Sequence, residues 1–175
     1  MSTLKVGTIQ DHANSTTAMT IDSAGRVSQP AKPAFSVRVG ATTSAQDFTS
    51  GTQALNEFTF IEFNIGNHVV LNAGNAKFTA PINGIYFFSY MISLGAHTTA
   101  THASGYLITD STFSGAHNAY YRNICDIQGE DYFTLTASGI IQLNASQTIE
   151  TGIYVANDTT VQVRQGTRFM GHLVS

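Results

Sequence analysis

The sequence predicts an all-β sandwich, and three observations carry that prediction. Short apolar runs rich in β-branched and aromatic residues, densest between Phe58 and Leu94, are cut at intervals by Gly, Asn and Pro, which supply turn geometries that strands cannot. Turn signals recur about every 8 to 12 residues. No stretch sustains a helical period, so helix content is expected to be minor.

Taken in order, residues 1–33 stand apart. Thr, Ser, Ala and Asp dominate, and large apolar residues come singly, at Leu4, Val6, Ile9, Met19, Ile21 and Val27. Such a segment buries too little apolar area to fold by itself. Thr20–Val27 nevertheless reads strand, turn with Gly25, strand. The expectation is an arm that orders against partners, with Ile9, Ile21 and Val27 as its anchoring residues. Pro30 and Pro33 bracket a linker, because proline interrupts strand pairing. A head domain follows over 34–175.

Within the head, Phe35–Val39 alternates as a half-buried strand does, and Gly40–Ala54, full of Thr, Ser and Gln, reads as a surface loop. Phe58 and Phe60 share one parity while Ile61, Phe63 and Ile65 share the other, which predicts a bulge near Phe60. Ile85–Ile92 is apolar on both alternating faces. A sandwich strand buries one face in its own protomer, so the other face, assigned to Tyr86, Phe88, Tyr90 and Ile92, is expected to be covered by a neighbouring subunit. Gly95–Thr101 and Asp110–Glu130 read as loops, and they supply candidate contact residues in His97, His102, Tyr120 and Tyr121. Alternation returns at Phe133–Ala137, Ile149–Val155, Val161–Val163 and Phe169–Leu173.

Composition narrows the function. The 175 residues give room for one domain and a short appendage, with a core that needs no staples. Charged residues are 11% of the chain, against about 25% in ordinary globular proteins, and the mean hydropathy is zero. Low charge without an apolar run long enough to span a bilayer implies a surface covered by other protein. The net charge is −3 and the only lysines are Lys5, Lys32 and Lys77, which argues against nucleic acid, whose binding scales with phosphates neutralised. The opening Met1-Ser2-Thr3-Leu4-Lys5 lacks the apolar core of a signal peptide, so synthesis in the cytoplasm is expected, and the triplets at Asn14, Asn144 and Asn157 read as turn-rich surface rather than glycosylation sites. Cys125 has no partner for an internal disulfide and reads as a small buried hydrophobe.

Three motifs resemble the globular head of complement component one-q and its relatives in the tumour necrosis factor superfamily. Gly74-Asn75-Ala76-Lys77-Phe78-Thr79-Ala80-Pro81-Ile82-Asn83-Gly84-Ile85-Tyr86-Phe87-Phe88 is similar to G-x-F-x-x-P-x-x-G-x-Y-x-F with one residue added before the phenylalanine. Ser138-Gly139-Ile140-Ile141-Gln142-Leu143 is similar to S-G-x-x-x-L, and Phe169-Met170-Gly171-His172-Leu173 to the closing F-x-G-x-L. The resemblance implies a homotrimeric jelly roll whose first, central and last strands, together with Ile149–Val155, face a threefold axis. Ser146-Gln147 stands where relatives often carry Gly-Asp, and no collagen-type Gly-X-Y run precedes the head. The arm instead resembles segments of bacteriophage tail-fibre and other virion proteins.

No catalytic constellation emerges. Six histidines and many serines have no G-x-S-x-G elbow or comparable context, and glycine-rich phosphate loops are absent. His97, His102 and His117 lack metal-ligand spacing, while Asp126, Glu130 and Asp131 lack the regular spacing of a calcium loop. The expected function is therefore a non-enzymatic structural protein of a phage virion, as tail fibre, spike or capsid decoration. It needs no cofactor and inserts in no membrane. The arm holds other virion proteins, and the trimeric head is exposed to host-surface glycan or protein or stabilises the particle. The alternative is a secreted complement or tumour necrosis factor-like ligand or lectin acting on cell-surface receptors.

Overall fold

The computed structural model describes residues 5–40, 44–47, 52–55, 57–95, 99–109, 119–127, 132–157 and 160–175. Every regular element among them is a strand, and every pairing is antiparallel. No helix among the described residues is long and apolar enough to cross a membrane. The arm forms its own three-stranded sheet from β1 (Thr8–Gln10), β2 (Thr17–Ile21) and β3 (Val27–Ser28). Its hairpin falls where the sequence places it. Asp22 accepts from the amides of Ala24 and Arg26, both at 2.9 Å, and Gly25 takes the left-handed conformation that closes the turn.

The head is a two-layer sandwich. One sheet runs in the order β5 (Ser44–Asp47), β15 (Thr160–Val163), β10 (Gly84–Gly95), β16 (Arg168–Leu173), β4 (Ala34–Arg38), β7 (Phe60–Ile65), and β13 (Tyr132–Leu143) also pairs with β10. The opposing sheet runs β12 (Ala119–Asp126), β11 (His102–Ile108), β14 (Thr148–Val155), β9 (Asn75–Thr79), β8 (Val69–Asn72), and β6 (Thr52–Ala54) pairs with β14. The sheets are bolted together by aromatic rings. Phe78 of the second sheet lies 5.2 Å from Phe35, 5.3 Å from Phe88 and 5.4 Å from Tyr86, all of the first, and Phe169 meets Phe35 edge-on at 4.9 Å. Such pairs stabilise beyond the area they bury.

These contacts explain the three sequence motifs. Phe78, Tyr86, Phe88 and Phe169 are the interior rings, and Leu143 is buried with them. Gly171 is small because a Cβ there would sit 2.4 Å from the Phe88 ring and 2.9 Å from the Phe87 carbonyl oxygen. Gly139 is small because a Cβ would sit 1.9 Å from the ring of Tyr121.

Four expectations are corrected. Tyr86, Phe88, Tyr90 and Ile92 are fully buried in the protomer's own core, so they are not a subunit contact, and the outward set is Ile85, Phe87, Ser89 and Met91. With both parities apolar, alternation identified two faces but not which one the second sheet covers. Ile149–Val155 lies in the second sheet, hydrogen-bonded to β11 and β9, away from β4, β10 and β16. Gly40–Ala54 contains strands β5 and β6, whose edge pairing rests on backbone rather than apolar alternation. The bulge expected near Phe60 is present and centres on Glu62, since Ser36 pairs with Phe63 and Val37 with Ile61. Finally, Asp110–Glu130 contains the strand β12. Its alternation is broken at Tyr121, whose φ of 48° accompanies a register slip between Gly105 and Leu107.

Candidate assembly interface

The registers of β7, β4, β16, β10 and β13 place outward residues in rows across the first sheet. One row is Ile65, Ala34, His172, Phe87, Ile140; the next is Phe63, Ser36, Met170, Ser89, Ser138. Phe63 at 49%, Ile65 at 39%, Ile85 at 40% and Ile140 at 57% keep large exposed fractions. Phe87, Met91 and Met170 are half-buried, and the Phe87 ring packs 5.3 Å from that of His172. A face that leaves this many large apolar side chains exposed on a folded protomer, interspersed with serines, marks a contact surface.

One end of the face is charged and ordered. The bulge turns Glu62 so that its carboxylate receives Arg38 Nε at 3.3 Å, Arg168 Nη1 at 3.2 Å and the Ser36 hydroxyl at 2.7 Å. The Arg38 guanidinium also lies 4.4 Å over the exposed ring of Phe60. Two arginines around one carboxylate leave this corner with surplus positive charge.

A second apolar patch lies along the β12–β13 side, where Tyr120, Ile124 and Tyr132 are exposed. Tyr121 closes this side of the sandwich. Its hydroxyl donates to the Ile140 carbonyl at 2.7 Å and accepts from the Ile140 amide at 3.0 Å, while Asn123 Nδ2 donates to the Thr136 carbonyl at 2.7 Å. Two side chains of β12 thus occupy backbone groups along the edge of β13 that another chain would otherwise pair with.

The residues singled out from sequence are dispersed. Tyr120 is exposed on β12, and Tyr121, also on that strand rather than a loop, is engaged as the clasp just described. His102 opens β11, half-buried, with its ring 5.5 Å from that of Tyr154. His97 lies outside the described residues, as do His117, Glu130 and Asp131. In the arm, Ile9 pairs with Met19 and Ile21 with Val27; Ile9 and Val27 are exposed and Ile21 half-buried. Cys125 is half-buried against the core. Asp126 is exposed, and no group of three or more His, Cys, Asp or Glu side chains among the described residues is placed to hold a metal. Sequence reasoning missed Phe60, Glu62, Phe63 and Ile65, whose signal was an apolar run on both parities of a strand that turned out to be an edge.

No protein-family model and no curated protein matches the chain by sequence. Solved structures do match. The globular domain of zebrafish complement 1qA protein superposes with a TM-score of 0.58 at 16% identity, over 82% of this chain and 98% of that one. Murine APRIL gives 0.58 at 12% identity, over 82% and 99%. The Eiger TNF of S. frugiperda gives 0.59 at 8% identity, over 82% and 93%. The head is a complement one-q and tumour necrosis factor-type jelly roll. In this jelly roll the rings contributed by the three motifs are interior, and the outer face of the sheet containing β4, β16 and β10 is left apolar and open.

Proposed function

We propose that the chain is a non-enzymatic structural protein whose jelly-roll head assembles as a homotrimer and presents three copies of its outer surface. The observation that carries this reading is a pair of different apolar patches on one protomer. One is the face bearing Phe63, Ile65, Ile85 and Phe87; the other is the β12–β13 side bearing Tyr120, Ile124 and Tyr132. A face that packs on a neighbour's edge makes a head-to-tail contact, and such contacts form a closed ring when the rotation permits. Three copies is the number implied by the complement one-q resemblance. Each square ångström of apolar surface removed from water contributes about 25 cal/mol toward the assembly, offset by the cost of ordering the partners.

Within this reading the arm anchors the trimer to other proteins of a phage particle, and the head attaches to a host surface or stabilises the shell. Support comes from the arm's separate sheet, with Ile9 and Val27 exposed on it; the virion assignment itself rests on the short resemblance of the arm's sequence described above. Three weak sites on one rigid trimer give firm attachment through avidity. A secreted ligand or lectin of the complement or tumour necrosis factor type is the second reading, favoured by the fold of the solved structures that match. Light scattering of the purified chain tests the assembly, with a trimer expected and a stable monomer overturning it. Imaging purified particles for a threefold density carrying this chain separates the two readings. Its absence, combined with saturable binding to animal cells, would establish the second.

A further inference from the structure

We propose that the outward face of the β8–β9 hairpin is a binding site for a neutral, polyhydroxylated ligand, in chemical class a glycan. A cleft of about 220 Å3 opens there, lined by Val70, Asn72, Asn75, Lys77 and Thr79. The strands alternate cleanly. Val69, Ala76 and Phe78 point into the core, while Val70 pairs with Lys77 and Asn72 with Asn75 on the opposite face. The hairpin is held by a two-residue turn with Ala73 at φ 49° and Gly74 at φ 83°, the signs of a type I′ turn, so the lining residues are preorganised.

Behind the cleft lies a buried charge. Glu150 on β14 is fully buried; Asn75 Nδ2 donates to its Oε2, and Lys77 Nζ stands 3.9 Å from its Oε1. Among the described residues neither Glu150 Oε1 nor Asn75 Oδ1 has a hydrogen-bond partner, although both are buried. Buried acceptors without donors are rare in folded proteins because each loses its hydration uncompensated. The Lys77 side chain is 34% exposed, and its 3.9 Å contact with Glu150 is longer than a hydrogen bond, so its ammonium keeps donors to offer a ligand at the mouth of the cleft.

The charges select the ligand. A cation meets the Lys77 ammonium, and an anion meets the Glu150 carboxylate behind it, so neither is favoured. A hydroxyl both donates and accepts. It can donate to Asn75 Oδ1 while accepting from Lys77, with the Asn72 carboxamide and Thr79 hydroxyl in reach of its neighbours on the ring. Val70, 61% exposed, offers an aliphatic wall to the C–H face of a sugar. All five lining residues belong to one protomer, so the site does not depend on the assembly reading and a monomeric head would carry it equally.

The test is an amide chemical-shift titration of the full chain with free glucose, galactose, mannose and N-acetylglucosamine, and separately with calcium and with inorganic phosphate. Saturable shifts confined to 69–79 and 148–152 are expected with at least one sugar, with affinity about tenfold weaker in Asn75→Ala, the loss of one good hydrogen bond. Asn72→Ala, exposed and outside the buried network, carries the same expectation if Asn75→Ala does not fold. No shift in these residues with any of the four sugars overturns the proposal, as do shifts there with calcium or phosphate alone, or sugar binding that both variants retain in full.

Discussion

Single side chains hold this sandwich shut, and Tyr121 is the clearest case. A bulky residue at positive φ is strained, and here the strain places the ring over Gly139 and the hydroxyl between the amide and carbonyl of Ile140. Tyr121→Phe keeps the ring and removes both bonds. The expected cost is about 1 to 2 kcal/mol, with faster hydrogen exchange at the Ile140 amide, readable by NMR; unchanged protection there would show that the hydroxyl is not what closes the edge. Tyr90 makes a different prediction. It is 1% exposed, and burial pushes its phenol up to about 12, with Tyr106 adding to the effect; burial likewise raises Tyr86. The folded protein therefore holds these protons more tightly than the unfolded chain, whose tyrosines titrate at about 10. Their contribution is intact below pH of about 10 and is lost as pH rises toward about 12. Urea midpoints should fall over that window by an amount equivalent to about 2 to 3 kcal/mol, in step with tyrosinate absorbance.

At the scale of a strand, β10 decides what the molecule can do, because its two faces have different work. Tyr86, Phe88, Tyr90 and Ile92 build the interior, and Ile85, Phe87 and Met91 look outward. Phe88→Asp buries an unpaired carboxylate among the rings of Phe35, Phe78, Tyr86 and Phe169 and is expected to unfold the protomer, a loss above about 4 kcal/mol. Phe87→Asp places the same charge on the open face. It should leave the circular dichroism spectrum and melting temperature of the protomer nearly unchanged while lowering the mass in solution, and an unaltered mass would remove this face from the contact. The contrast also measures how far the sequence could be read. Strand identity was legible at Phe35–Val39 and along β10, β14 and β16, where β-branched and aromatic residues repeat, and the motif glycines marked close packing. The side of β10 was not, because a strand apolar at both parities carries no internal sign of which layer it faces. The strands β5, β6 and β12 were hidden for another reason. Their pairing rests on backbone bonds, and Tyr121 breaks the alternation that would have revealed β12. The bulge at Glu62 was two residues from its expected place because Phe58, buried ahead of β7, belongs to the incoming segment and not to the strand.

For the whole molecule the open question is which part holds copies together, and the two candidates separate cleanly along the chain. Among the described residues the arm's sheet of β1, β2 and β3 pairs with none of the head strands, and its tie to the head includes the bond from Lys32 Nζ to the Val174 carbonyl at 3.0 Å. An exposed three-stranded sheet this short is marginal without other cover, so the arm gains order from whatever it docks on. The head instead carries exposed apolar residues across a face of five strands, ending at a Glu62–Arg38–Arg168 corner that fixes orientation more than it adds affinity. Deleting residues 1–33 should then leave a soluble head with the mass of a trimer by light scattering and a melting temperature within a few degrees of the full chain, while abolishing its incorporation into particles. A monomeric 34–175 would move the trimer contact into the arm and leave the apolar face to some other protein. A trimeric head that still incorporates would strip the arm of its anchoring role while leaving the assembly of the jelly roll standing.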